Sequence, residues 1–280
     1  MSMELTGQNY FSQEADEAYM SVSQYKTFAG ATGRRGFKGC EAMAMAKIKG
    51  EYKTEPTKSM LIGSYVDAWY EGTLDTFKKE HPQIFKKDGT LYADYVQADK
   101  IIERSQKDKM FRGFMAGDKQ VIMTGHLFGC DWKIKMDSYI EGRAIVDLKV
   151  MEDIYEKDKF EPKSEWTRDL GYIPWFQYWG YDIQGAIYQE IVFQNTGDRL
   201  PFFIAGCDKK KPTGIGIFHL DDQMLRMALS EVEYNMPRIL DVKSGLAEPD
   251  RCECCDYCRE TYEIKNIIEV YAGYEGKKKG

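Results

Sequence analysis

The fold of this 280-residue chain is decided by residues 131–150, which read DWKIKMDSYIEGRAIVDLKV. Apolar and polar residues alternate through both halves of this stretch, and the polar positions of the first half end at Asp137. In the second half, Asp147 and Lys149 share one face because successive side chains of a strand point to opposite sides. A short glycine-containing connection joins the halves, so the pattern predicts a β-hairpin that presents three charged groups together.

The expected register of this hairpin brings two carboxylates into contact. If the turn is centred on Gly142, Asp137 and Asp147 pair directly, since each is five residues from the centre. Opposed residues of an antiparallel ladder have Cβ atoms about 4.5 to 5.5 Å apart, and like charges at that distance are destabilising. A divalent hard cation between them resolves the repulsion. The hairpin therefore indicates metal-dependent phosphodiester cleavage, while two surface aspartates beside lysines are the alternative interpretation.

The rest of the sequence predicts helices before and after this hairpin and further strands behind it. Helices are predicted at residues 57–72, 91–110, 178–193 and 221–241, and strands at residues 119–128, 200–206 and 214–220. Residues 151–175 are charged and irregular, as expected of an excursion that lines a substrate groove. The order of elements predicts a mixed α/β (α+β) chain with a central mixed β-sheet flanked by helices.

Composition and charge bound the class of protein. With 43% hydrophobic and 14% aromatic residues, the chain can bury a substantial core, and we expect one domain over residues 1–280. Its N-terminal region, about residues 1–56, is predicted to be helical. No run of 18 uncharged apolar residues occurs and no signal peptide is recognisable, so we expect no membrane association and a cytoplasmic location.

The charged residues and histidines narrow the chemistry further. A net charge of -6 argues against a surface that is positive throughout, so nucleic-acid contacts would depend on local basic clusters. Such clusters at residues 33–39, 209–211 and 277–279 are typical of solvated loops and tails. None of the 3 histidines lies beside a serine or cysteine in a nucleophile motif, which disfavours histidine-assisted nucleophilic catalysis.

Four motifs in order resemble the PD-(D/E)XK nucleases, in particular the RecB-like and RecE-like exonucleases of phages and prophages. The sequence SVSQY at residues 21–25 is similar to the family's Ser-x-Ser helix start, and GSYVD at residues 63–67 to its Gly-x-x-x-His motif. The hairpin supplies the Asp and Asp-x-Lys motifs, and YDIQGAIY at residues 181–188 resembles the Gln-x-x-x-Tyr helix. The resemblance covers most of the chain and implies a restriction-endonuclease-like core.

The resemblance also implies site residues, with one departure from the family pattern. Asp67 stands where the family usually has histidine, and its carboxylate is still an oxygen ligand suited to Mg²⁺ or Mn²⁺. The implied metal ligands are Asp67, Asp137, Asp147 and the backbone carbonyl of Leu148. The implied catalytic residues are Asp137, Asp147, Lys149, Gln184 and Tyr188. Lys149 would orient or deprotonate the attacking water or stabilise the developing charge, whereas Gln184 and Tyr188 would position the DNA or the lysine.

The function implied by this resemblance is that of a metal-dependent exonuclease of the exonuclease VIII type. It would degrade one strand of linear duplex DNA from its end, in the 5′ to 3′ direction, and leave single strands for a phage-type annealing protein. A structure-specific or single-strand nuclease and a non-catalytic DNA-binding subunit are the alternatives. Blunt linear duplex that is digested while circular duplex survives would favour the exonuclease. The oligomeric state stays open, a homo-oligomer included.

A cysteine-rich segment at about residues 250–260 is the second chemical signal. Cys252, Cys255 and Cys258 have C-x₂-C-x₂-C spacing, and a cluster of thiols in a cytoplasmic protein indicates a metal site rather than disulfides. The fourth ligand would be Cys40 or Cys254. The layout resembles AddB-type nucleases, in which one early and three late cysteines bind an iron-sulfur cluster, which implies [4Fe-4S] here. The residues themselves leave zinc and reduced thiols open.

Overall fold

The computed structural model describes residues 3–29, 35, 39–267 and 269, and its centre is a four-stranded mixed sheet. In spatial order the strands are β3 (Ser138–Ile140), β4 (Ala144–Met151), β7 (Phe202–Asp208) and β8 (Ile215–Leu220). The pair β4 and β7 is parallel and the other two pairs are antiparallel. The predicted fold class, a mixed sheet flanked by helices, is confirmed.

Two hairpins lie outside this sheet. The first joins β1 (Val121–Leu127) to β2 (Cys130–Met136), and the second joins β5 (Ser164–Thr167) to β6 (Gly171–Pro174). The strand predicted through residues 131–140 is therefore divided at Asp137, where the chain bends from β2 into β3. The segment predicted as irregular, residues 151–175, contains the second hairpin, whose strands pair across a turn at residues 168–170.

The helices match the predicted order with shifted boundaries. They are α1 (Gln13–Ala18), α2 (Val22–Ala29), α3 (Glu41–Ile48), α4 (Lys58–Glu71), α5 (Leu74–Glu80), α6 (Gln97–Lys107), α7 (Lys109–Phe114), α8 (Trp175–Tyr178), α9 (Tyr181–Thr196), α10 (Asp222–Lys243) and α11 (Asp256–Glu260). The helix predicted at residues 91–110 begins later and is divided at Asp108, whose carboxylate accepts a hydrogen bond from the Phe111 N–H and starts α7. None of the described helices is both long and apolar enough to span a membrane.

Apolar layers cover both faces of the central sheet, and this burial positions the site. On one face Ile145 packs in a cluster with residues of α2, α9 and α10, and on the other Val146 and Leu148 pack with α4 and α6. Helix α9 approaches the sheet at Gly185, where an added Cβ would lie 2.6 Å from a ring carbon of Phe202. The polar residues of β4 therefore lie inside the protein, between packed helices.

The N-terminal segment covers β2 and buries a lysine that the alternating pattern assigned to a polar face. Met20 pairs with Trp132 as an isolated β-bridge. The Met20 N–H donates to the Asp131 carbonyl at 2.8 Å, and the Met20 carbonyl accepts from the Lys133 N–H at 2.9 Å. The neighbouring Lys133 is 1% exposed, and its ammonium contacts the Asp16 carboxylate at 2.7 Å and the Tyr10 carbonyl. A buried cation needs such partners because desolvation is costly.

Candidate functional site

Asp137 and Asp147 lie on neighbouring backbone segments, but the predicted direct pairing does not form, because the β3–β4 ladder ends at Ser138 and Val146. Ser138 pairs with Val146 and Ile140 with Ala144, so the hairpin is centred on Gly142, which adopts a positive φ of 64°. Asp137 comes one residue before this ladder. Its carboxylate accepts a hydrogen bond of 2.8 Å from the N–H of Leu148, which holds it beside β4. The amide of Leu148 is thus engaged with Asp137, and the ligand role of its carbonyl stays a prediction.

The Asp147 carboxylate is buried, with 2% exposure, between two polar side chains. The Lys149 ammonium contacts one oxygen, Oδ2, and the Gln184 amide donates to the other, Oδ1. These contacts explain the spacing of the residues, because Lys149 is two positions along the same strand and Gln184 faces β4 from α9. The structure therefore brings Lys149 and Gln184 together around Asp147.

Asp67 reaches the same place from α4 and adds a third carboxylate. Burial, together with the charge of Asp137, raises the pKa of Asp67 well above its usual range. Burial and the charge of Asp147 likewise raise the pKa of Asp137 to about 7. Glu71, one helical turn after Asp67, acts on both carboxyl groups in the same direction. The positive charge of Lys149 acts in the opposite direction on the pKa of Asp67 and of Asp137, and its ammonium contacts Asp147, so one lysine offsets negative charge at all three aspartates.

This arrangement fits a hard divalent cation. Oδ2 of Asp147 is buried and accepts no hydrogen bond of good geometry, although the Lys149 ammonium contacts it as an ion pair. An oxygen with unused lone pairs beside two further carboxylates is a suitable ligand for Mg²⁺ or Mn²⁺. The donor set consists of oxygen atoms, as these ions prefer.

Two tyrosines of α9 support the site from its edge. Tyr188 is buried, and its hydroxyl donates to the carbonyl of Lys135 at 3.0 Å, so it fixes β2 two residues before Asp137. The ring of Tyr181 lies 4.9 Å from the Lys149 ammonium. Sequence reasoning missed Tyr181 as a site residue, although it stands at the start of the same Gln-x-x-x-Tyr helix, one turn before Gln184.

A cavity of about 520 Å³ opens beside the acidic residues, between the N-terminal helices and α9. Gln184, Tyr188 and Lys149 form its inner wall, so it is continuous with the site. Of the lining residues that the structure describes, Asp16 is the one acid, and five are lysines. The lysines are Lys26, Lys47, Lys133, Lys135 and Lys149. A protein with a negative net charge thus has a locally positive cavity.

Lys26 and the rim of the cavity have features suited to a nucleotide chain. The Lys26 ammonium lies 4.9 Å from the Tyr181 ring, the distance at which Lys149 also lies. Burial and the charge of Lys149 lower the pKa of Lys26 to about 7. At the rim, the ring of Phe11 is 73% exposed, and the Lys135 ammonium lies 4.5 Å from its centroid. Exposed aromatic rings beside lysines are the usual components of single-strand binding surfaces.

The basic clusters that the sequence suggested lie elsewhere. Residues 209–211 form the loop between β7 and β8, where Lys209 contacts Ser59 and Lys210 contacts Asp153. Most of the cluster at residues 33–39 and all of that at residues 277–279 lie outside the described residues. Arg35 is described, and its guanidinium forms buried ion pairs with Asp182 and Glu231.

The four cysteines predicted as ligands are brought together, and the structure selects between the two candidates for the fourth. Cys40 begins α3 and lies with Cys252, Cys255 and Cys258, so that all four Sγ atoms are within 4.8 Å of one another. Cys254 is exposed and outside this set. None of the cysteines that the structure describes forms a disulfide.

Comparison with known proteins identifies the family. The profile of the PDDEXK-like domain of unknown function (DUF3799) matches residues 21–261. A crystal structure of a protein from Eubacterium rectale, assigned provisionally as an exonuclease, shares 53% sequence identity with a TM-score of 0.89, over 97% of this chain and 100% of that one. The structure of SSO0001 has 14% identity and a TM-score of 0.27, over 69% and 84% of the two chains, and supports no argument. No curated protein matches.

These findings confirm the resemblance to the PD-(D/E)XK proteins. The matched residues include the Ser-x-Ser helix, Asp67, the hairpin, the Gln184 helix and the three late cysteines. The similarity to the Eubacterium rectale protein extends over almost the whole chain, which supports the same central sheet and flanking helices in both. The chain therefore belongs to the PDDEXK-like family DUF3799.

Proposed function

We propose that this protein is a metal-dependent DNA exonuclease that degrades one strand of linear duplex DNA. The observation that carries the proposal is the buried Asp147 oxygen without a hydrogen bond, beside Asp67 and Asp137 and next to a lysine-lined cavity. The provisional assignment of the Eubacterium rectale protein as an exonuclease supports the same activity. Degradation in the 5′ to 3′ direction, and a partner protein that anneals the exposed strand, follow from the resemblance to RecE-like enzymes.

The contacts within the site indicate a role for each residue. Asp67, Asp137 and Asp147 would hold Mg²⁺ or Mn²⁺, with the carbonyl of Leu148 as a further ligand. The metal, when bound, supplies an activated water and neutralises charge on the scissile phosphate. The Lys149 ammonium, held against Asp147, donates hydrogen bonds to the water or to the phosphate as its charge develops.

The surrounding side chains orient these groups and bind the substrate. Gln184 fixes Oδ1 of Asp147, and Oδ2, which contacts the Lys149 ammonium, would bind the metal. Tyr181 keeps the Lys149 ammonium over its ring, and Tyr188 holds β2 so that Asp137 stays beside β4. The cavity next to them has room for a nucleotide, and its lysines would bind the phosphates of the substrate strand.

A digestion assay tests the proposal. End-labelled linear duplex DNA should lose its label in Mg²⁺ and keep it in EDTA, whereas circular duplex should survive. We expect Asp147→Asn and Lys149→Gln to lower the rate by a factor on the order of a hundred or more, because each removes a group that acts on the transition state. Asp131→Asn is the matched control, since Asp131 is an exposed aspartate on β2 that pairs with His126.

The possible results separate the alternatives. DNA binding without any metal-dependent loss of label would indicate a non-catalytic subunit and overturn the proposal. Equal digestion of circular and linear duplex would indicate a nuclease that needs no end. Near-native activity of Asp147→Asn would show that the metal site is elsewhere.

A further inference from the structure

The four thiols join two parts of the chain that are about 210 residues apart in sequence. Cys40 stands at the start of α3, and its Sγ lies 3.5 Å from that of Cys258, while the Sγ atoms of Cys252 and Cys258 are 3.9 Å apart. Both distances are much longer than the roughly 2.05 Å of a disulfide bond. The thiols therefore face one another as four separate groups.

The size of the thiol cluster distinguishes between two kinds of metal site. A tetrahedral zinc ion with Zn–S bonds of about 2.3 Å separates its sulfur ligands by about 3.8 Å. The observed separations of 3.5 and 3.9 Å, with all four atoms within 4.8 Å, agree with that value. In a cubane iron-sulfur cluster each thiolate binds a different iron atom at a corner of the cube, so the thiolates stand much farther apart. The distances between these thiols fit a single ion and are too short for a cubane cluster.

Backbone groups are aimed at the same sulfur atoms. The N–H of Met43 donates to Cys40 Sγ at 3.5 Å, that of Cys255 to Cys252 Sγ at 3.3 Å, and that of Cys258 to Cys255 Sγ at 3.4 Å. Such N–H groups stabilise the thiolate, which is the form that binds a metal, and they orient each ligand.

The surrounding apolar contacts are few. Three residues, Cys40, Ala42 and Cys258, form the buried cluster around the thiols. Tyr257 is among the partly buried residues that pack against it. Hydrogen bonds between α3 and Asp250 add to it. A core of this size gives little free energy for fixing the segment at residues 250–260, so another attachment is needed.

We propose that Cys40, Cys252, Cys255 and Cys258 bind one zinc ion in a closed tetrahedral site that fastens the C-terminal segment to α3. Four protein ligands leave no open position, so the ion stabilises structure and takes no part in hydrolysis. The inference does not depend on the proposed nuclease activity, because the thiols belong to a separate cluster and the tests below measure metal and stability.

The metal content of the full chain, purified without oxygen from iron-supplemented cells, is the decisive measurement. We expect about one zinc per chain, no sulfide, and no visible absorption, because zinc has a filled d shell. Replacement by Co²⁺ should give the intense visible bands of a tetrahedral thiolate site. About four iron atoms and four sulfides per chain, or protein free of both metals, would overturn the inference.

Two substitutions locate the ion. Cys255→Ser should reduce bound zinc by at least about fivefold and lower the melting temperature, since metal binding contributes to folding. Cys254→Ser is the matched control, because Cys254 is adjacent in sequence but outside the set, and it should keep the zinc. If Cys255→Ser does not fold, the cobalt spectrum and metal content of the unmodified protein still decide. Full zinc occupancy in a folded Cys255→Ser protein would contradict the assignment.

Discussion

Replacing Asp67 by asparagine should raise the melting temperature in the absence of metal and reduce the rise that Mg²⁺ produces. Without metal, burial and the charge of Asp137 raise the pKa of Asp67, so the folded protein resists ionisation of this carboxyl group and is less stable at neutral pH than at acid pH. Asparagine keeps the shape and removes the charge. Each unit of raised pKa corresponds to about 1.4 kcal/mol. With an unfolding entropy of about 2.1 cal/mol/K per residue, a stabilisation of about 1.4 kcal/mol raises the melting temperature of a chain of this length by about 2 °C.

Mg²⁺ offsets this advantage of the asparagine because it binds the folded state and prefers the site with the carboxylate. At a concentration one hundred times its dissociation constant, the ion stabilises the protein by about 2.7 kcal/mol. By the same unfolding entropy, the melting temperature of the unmodified protein should rise by about 4 to 5 °C. If loss of one carboxylate weakens Mg²⁺ tenfold, about 1.4 kcal/mol is lost, and the rise in Asp67→Asn falls to about half.

Thermal unfolding followed by circular dichroism at pH 7, in EDTA and in millimolar Mg²⁺, measures both effects. Glu80→Gln is the control, since it makes the same charge change at an exposed position at the end of α5. It should leave the metal-induced rise unchanged. Equal metal-induced rises in the unmodified protein and in Asp67→Asn would show that Asp67 is not a ligand and would refute the reasoning.

Three further predictions concern the cavity and the packing of α9. Because the pKa of Lys26 is lowered to about 7, its positive charge is present below that pH and lost above it. Binding of single-stranded DNA by a catalytically inactive variant should therefore weaken by up to about tenfold per pH unit above 7. Fluorescence titrations from pH 6 to 9 check this, and Lys26→Gln should flatten the profile. Phe11→Ala should weaken binding of a single-stranded oligonucleotide by about 1 to 3 kcal/mol, whereas Phe11→Trp should keep it, as a quenching assay with a fluorescent terminal base would show. Gly185→Ala should lower the melting temperature by a few degrees, since overpacking against Phe202 costs about 1 to 3 kcal/mol, and an unchanged unfolding curve would contradict the close approach.

The features that the sequence predicted well depend on local patterns. Alternation fixes which residues of a strand share a face, and the turn at Gly142 fixes the register, so the neighbourhood of Asp137 and Asp147 could be read from twenty residues. The position of Gln184 follows from helical spacing once α9 is placed on the sheet. The wider sheet order was predictable only through the resemblance, because the parallel pairing of β4 with β7 joins residues about 57 apart.

The features that the sequence did not predict depend on contacts between distant segments. Lys133 is buried because Asp16 neutralises it from the N-terminal segment, which overrides the alternating pattern. Asp137 stands in a bend because β2 pairs with β1 and β3 pairs with β4, a division that no local signal marks. Cys40 rather than Cys254 completes the thiol cluster, since the path of the C-terminal segment over α3 decides which sulfur is near.

The bridge between Met20 and Trp132 determines where truncated proteins of this family should begin. The family match begins at residue 21, so a fragment with those limits would omit Tyr10, Phe11 and Asp16. It would lose one wall of the cavity and leave the Lys133 ammonium buried without its carboxylate, which costs about 3 to 5 kcal/mol. Because Lys133 lies four residues before Asp137, disorder there would reach a proposed metal ligand. Residues that the family profile omits thus support the proposed site, and truncation experiments should retain them.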